Sequence, residues 1–164
     1  MRMQDKPLIG IVLGSASDKP IMDECAKTLE KLEIAFETTV SSAHRTPEKT
    51  RDYARSASER GLEVIIAGAG WAAHLAGFLA SYTALPVIGV PIDSSPLKGI
   101  DSLLSTAQMP PGVPVATMAI GSGGAQNAAV FAAQILALKY ADIAKRLEEY
   151  RENLRKRATG VKTD

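Results

Sequence analysis

Two histidines are the residues of this chain best suited to proton chemistry, and they occupy similar settings. His44 lies in SSAHRTP, residues 41–47, and His74 in GWAAHLAG, residues 70–77. Each follows an alanine just past a run that reads as a β-strand. An imidazole has an unperturbed pKa near ~6.5, so it can give and take a proton at neutral pH. Arg45 presents a planar fork suited to bidentate phosphate binding, and Ser42 adds a hydroxyl donor. Alone, Arg45 could pair with a surface carboxylate and His44 could be a satisfied loop histidine. Ser, His and Arg together at a strand exit favour a site, since functional residues collect on such loops. His74 falls in the first turn of the next helical stretch, where the helix dipole disfavours its charged form. There it could donate to a carboxylate, or be a buried histidine bonded to backbone.

Other unusual stretches also follow strand-like runs. GSASD, Gly14 to Asp18, offers a tight turn, two hydroxyls and the free N–H groups of a helix N-terminus, a ready anion site. Asp18 would repel a phosphate there but could accept hydrogen bonds from ribose hydroxyls. Ser17 and Asp18 could instead simply cap the helix. AGAGWAAHLAG, residues 67–77, lets a backbone of small residues approach a ligand closely, at Gly70 among others. PIDSS follows the fourth strand, and GSGGAQN follows the fifth, where it could hold an anion or only turn the chain.

The elements that must position these loops alternate strictly. Strands are expected at Leu8–Leu13, Ile34–Val40, Leu62–Ala67, Pro86–Val90 and Val115–Ile120. The first is almost wholly apolar, as suits a parallel strand buried on both faces. Helices are expected from Ser17 or Asp18 to about Leu32, from Thr46–Pro47 to Gly61, over roughly Ala72–Tyr82, and over Ala125–Leu138, with a loop and short helix across 97–108. Such alternation implies a three-layer α/β fold with a parallel sheet and right-handed crossovers. With five strands the expected order is the flavodoxin-like 2-1-3-4-5, which sets the first three loops side by side where ligands bind.

A long C-terminal helix, about 141–157, has no sixth strand to cover. Ile143, Leu147, Tyr150 and Leu154 form one apolar stripe on it. The expectation is that this stripe packs on a neighbouring subunit, the alternative being a surface helix folded back on its own domain.

The 164 residues read as a single domain, 1–164, with its core at about 8–138. A formal charge of +1 gives no general field for nucleic acid or acidic membranes. No apolar run approaches the ~20 residues that span a bilayer, and Met1 to Pro7 lacks the apolar stretch of a signal peptide. The single cysteine, Cys25, allows no internal disulfide and suits a cytoplasmic home. Two histidines without a nearby carboxylate pair suggest no metal site. There is no G-x-S-x-G elbow, and a receiver domain would need an aspartate where Gly68 to Gly70 stand. A flavodoxin proper would want no acid beside its phosphate, so Asp18 is awkward for one. Trp71 is nevertheless a candidate flavin-facing ring.

GSxSD, SAHRTP, AGAGxAAHL, PVIGVP, DSLLS…QMP, GVPVAT and the alanines after Asn127 stand in the order seen in the 5-(carboxyamino)imidazole ribonucleotide mutase family. The chain resembles that family of bacterial purine synthesis from about Leu8 to Leu138. The resemblance implies a flavodoxin-like fold, a homo-octamer, no metal or organic cofactor, and transfer of a carboxylate from an exocyclic nitrogen to ring carbon C4. It also implies His44 as general acid/base and His74 beside the moving carboxylate. Ser15, Asp18, Ser42 and Arg45 would bind substrate, Asp18 toward ribose and Ser42 and Arg45 near phosphate. Small walls at Gly68 to Gly70, Ala72 and Ala73 would hold carbon dioxide. Arg45 resembles the mutase branch, whereas an animal-type carboxylase using free carbon dioxide tends to carry lysine there. Three positions depart from the family: Trp71 replaces a small residue, Ala76 a proline, and STAQMP the usual SIVQMP. A ring as bulky as Trp71 could narrow or seal the pocket.

Overall fold

The computed structural model describes residues 6–159, so the polar stretch at Met1–Asp5 and the ends of the expected 1–164 domain lie outside the described residues. Apolar, β-branched residues make strand β1, Ile9–Leu13, and all five of its residues are buried. It is central, pairing in parallel with β2, Phe36–Val40, on one side and β3, Val64–Gly70, on the other. Next come β4, Val87–Ile92, and β5, Ala116–Thr117, giving the expected order β2-β1-β3-β4-β5.

Strand β5 is much shorter than the run from Val115 to Ile120 suggested. Its ladder holds only Ala116 opposite Ile88 and Thr117 opposite Gly89. Beyond that, isolated bonds from the Met118 and Gly121 N–H groups reach the carbonyls of Gly89 and Pro91. Pro91 has no N–H to return, so the regular ladder stops there.

Side chains that alternate across the strands build two cores. On one face Ile9, Ile11 and Leu13 pack with Val64, Ile66, Ile88 and Val90. Covering them are α1, Lys19–Lys31, α5, Ser122–Ala137, and α6, Ala141–Ala158. The α1–α5 pairing depends on small residues: Ala125, Ala128, Ala129, Ala132 and Ala133 are all fully buried. Cys25 is fully buried there too, and burial pushes its thiol up to about 12. On the other face Val12, Ile65 and Ala67 meet α2, Pro47–Ser56, and α3, Leu75–Ala80. Gly10 is needed on that face, because a Cβ there would lie 2.2 Å from the Tyr53 hydroxyl. Helix α4, Ile100–Ala107, packs beside α3, where Gly89 makes room for Thr106.

The expectation for α6 is corrected in its first half. Ile143 and Leu147 belong to the chain's own core, 3% and 7% exposed, while Leu154 is 46% exposed. The Tyr140 hydroxyl and Lys139 ammonium both bond Glu63, fastening the turn before α6 to the foot of β3. That anchor directs the stripe inward where it begins. Helix α5 is also less buried than an all-round apolar helix would be, since Phe131 reaches solvent, as does Leu138 just past its end.

Candidate active site

The loops at the carboxyl ends of the strands are held by side chains of short polar residues. After β1, Ser15 is the N-cap of a short 3-10 turn, Ala16–Asp18, which runs directly into α1. Its Oγ accepts the Ser17 N–H, and its own N–H donates to Asp18 Oδ2 at 2.9 Å. Asp18 is the N-cap residue of α1, as expected, but its carboxylate bonds back to Ser15 in a reciprocal box instead of capping α1 itself. Asp18 is buried, and burial raises its carboxyl above the usual range, opposed by the Ser15 N–H and by Arg45.

After β2, Thr46 Oγ1 accepts the Ser42 N–H and Ser42 Oγ accepts the Arg45 N–H. Pro47 then starts α2 with the φ it already prefers. Helix α2 ends at Ser56, short of Gly61, whose left-handed φ of 96° closes the following turn. The folded loop swings Arg45 across the sheet, where Nη2 donates to the Gly14 carbonyl at 3.3 Å. It also aims His44 toward the loop after β3.

There Gly70 is the last strand residue. A Cβ on it would sit 1.9 Å from Ser94 Oγ, so glycine is required for the loop after β4 to come close. Trp71 follows with φ 54°, a left-handed conformation that strains an L residue by about 1–3 kcal/mol. The Ala73 N–H donates to Ser105 Oγ of α4 at 3.0 Å, and the His74 N–H to the Ala72 carbonyl at 2.8 Å. These bonds delay α3 until Leu75, later than the helical pattern from Ala72 implied. His74 becomes its N-cap.

Across the sheet His44 Nε2 and His74 Nδ1 lie 2.9 Å apart, their rings edge to face at 5.0 Å. One nitrogen carries the hydrogen and the other accepts it. Both rings are exposed in this chain, so His74 is not a buried histidine bonded to backbone. A cleft of about 550 Å³ opens over them, at the β1/β3 switch point. Ser15, Asp18, Ser42, His44, Arg45, Gly70 and His74 all line it.

Some expectations separate here. Ala69, Gly70 and Ala72 line the cleft, but Gly68 and Ala73 do not. Gly68 instead accommodates Met22, whose sulfur would be 2.4 Å from an added Cβ. GSGGAQN stays outside the cleft and turns the chain: Gly121 has φ 80°, and a Cβ on Gly124 would strike the Ala119 carbonyl. Two contributors escaped the sequence reading. Ser94 lies in the hydroxyl-bearing loop PIDSS, which was a visible signal, whereas nothing in the sequence connects Ser105 with Ala73. Among the described residues no three His, Cys, Asp or Glu side chains gather as metal ligands.

Sheet order, layers and cleft define a flavodoxin-like α/β protein with its polar side chains at the switch point. Residues 8–157 match the family described as AIR carboxylase, and the chain belongs to that family. It is 58% identical over 150 residues to the N5-carboxyaminoimidazole ribonucleotide mutase of Pyrococcus abyssi, covering 92% of this chain and 85% of that protein. Identity to the Bacillus subtilis protein of the same name is 55% over 148 residues, 90% of this chain and 91% of the other. Among solved structures, Treponema denticola PurE superposes with a TM-score of 0.83 at 27% identity, covering 94% of this chain and 96% of that one.

Proposed function

We propose that this chain is an N5-carboxyaminoimidazole ribonucleotide mutase of purine biosynthesis, an isomerase that moves a carboxylate from the exocyclic nitrogen to ring carbon C4. The observation that carries the reading is that His44 and His74 meet in one cleft of a chain so similar to mutases along nearly its whole length.

The chemistry needs one proton moved twice. Protonated His44 gives its proton to the exocyclic nitrogen as the N–C bond of the carbamate breaks, releasing carbon dioxide and the free amine. The electron-rich C4 attacks that carbon dioxide, and the hydrogen at C4 leaves to neutral His44, restoring the aromatic ring. The histidine ends as it began, and atoms and charge balance. Proton transfer of this kind contributes about 10²- to 10⁴-fold. Holding carbon dioxide against C4 supplies the proximity term, for which Ala69, Gly70 and Ala72 leave room. His74, bonded to His44, is placed to orient that ring and face the transferred carboxylate. Arg45 and Ser42 take the phosphate, and Asp18, with Ser15, takes the ribose hydroxyls.

We also infer a homo-octamer working in the cytoplasm. The coarser facts are that Leu97, Ile100, Leu104 and Leu138 are exposed apolar side chains, and that among the described residues no helix is long and apolar enough to cross a membrane.

The deciding assay offers purified protein each substrate separately. Turnover of N5-carboxyaminoimidazole ribonucleotide, with none from aminoimidazole ribonucleotide plus bicarbonate, is the expected result. The reverse preference would make it a carboxylase.

A further inference from the structure

Trp71 is the chain's single tryptophan, and it stands at the cleft with 59% of its surface exposed. Of the residues lining the cleft it alone has a positive φ, 54°. The turn leaves no choice of backbone. Gly70 before it is held against Ser94, and Ala73 after it gives its N–H to Ser105 while its carbonyl accepts from Thr106 Oγ1. Glycine would take that φ without strain. A large aromatic residue kept in a strained, solvent-facing position beside a site has no core-packing reason to be there, and strain of this kind collects at ligand contacts.

The rest of the wall shows what is missing. Arg45, Ser42, Ser15 and Asp18 offer charge and hydroxyls, and the two imidazoles are engaged with each other. Ala43, Ala69 and Ala72 offer only small apolar patches. The broad flat surface at the rim is the indole, and such surfaces stack on planar heterocycles. We propose that Trp71 is a substrate-contacting residue: its indole stacks on the aminoimidazole ring and covers the cleft against water. This rests on the mutase reading above and adds a specificity contact to it.

Because Trp71 is the only tryptophan, its emission reports the contact directly. Titration with 4-carboxy-5-aminoimidazole ribonucleotide should change the emission saturably, and ribose 5-phosphate, which lacks the ring, should not. Trp71→Gly, unstrained at this φ, should raise KM roughly tenfold with kcat within about threefold, and Trp71→Phe should recover most of the loss. Unchanged emission at saturating ribonucleotide, with a wild-type KM in Trp71→Gly, would overturn the contact while active wild type leaves the mutase reading intact. A smaller assembly in Trp71→Gly with unchanged KM would overturn it equally, assigning the indole to a subunit contact. Wild type inactive on either carboxylated ribonucleotide, and with aminoimidazole ribonucleotide plus bicarbonate, overturns both.

Discussion

Alanine serves opposite ends in two regions of this molecule. Between α1 and α5, Ala125, Ala128, Ala129, Ala132 and Ala133 are fully buried, and their small side chains bring two helices together. At the rim, Ala43, Ala69 and Ala72 line a cleft of about 550 Å³. The difference lies in who satisfies the backbone. Helices bond their own N–H and C=O groups, so a small side chain is free to let the neighbour approach. Loop backbone needs outside partners, and Ser15, Ser42 and Ser105 supply them. Held open by those bonds, the same small residue leaves space. Close packing is therefore concentrated in the helical layer and the open polar cleft at the rim.

His44→Asn tests that separation with the largest expected effect. Isomer interconversion should fall by about 10²- to 10⁴-fold, with ribonucleotide binding and thermal midpoint nearly unchanged. A large loss of stability in this variant would show that rim and layer are not independent. Near-normal turnover would remove His44 from the mechanism.

Ile143→Ala probes the other region. It should cost about 2–5 kcal/mol of unfolding free energy in denaturant titrations, with kcat unchanged. Leu154→Ala, farther along the same stripe and 46% exposed, should cost under about 0.5 kcal/mol unless a second subunit covers it. A larger loss that depends on protein concentration would locate a subunit contact at the end of α6.

The smallest effect falls where the regions join, at Asp18, which lines the cleft and heads α1. Burial raises its carboxyl, so the folded chain holds that proton more tightly than the unfolded chain does. The protonated form is thus favoured by folding, and wild-type stability from this group declines as pH rises above the ordinary value of 3.8. Asp18→Asn lacks that decline. Its stability relative to wild type should improve from acid to neutral pH, measured by denaturation at each pH, while its affinity for ribonucleotide drops. A pH-independent difference would show that Asp18 titrates alike in both states.

Element order could be read from the chain because it rests on neighbours in sequence, and the strand order followed as the common arrangement of five alternating strands. The run LIGIVL and the charged Thr46–Gly61 stretch differ in period, and period decides strand or helix. The seven candidate positions were visible as Ser, His, Arg, Asp and Gly collected at strand exits, and the fold brings them to one cleft. Strand β5 was overestimated because the missing N–H that limits it belongs to Pro91 on another strand.

Residue type and local period, then, determined by themselves the alternation of strands and helices and the loops that carry the polar groups. Only the tertiary structure decided that His44 meets His74, that Ser15 rather than Ser17 caps the first turn, that Trp71 adopts a left-handed backbone, and that α6 docks through Ile143 and Leu147. Each of the four depends on what strand register, a neighbouring loop or another helix places alongside, and distance along the chain does not encode that.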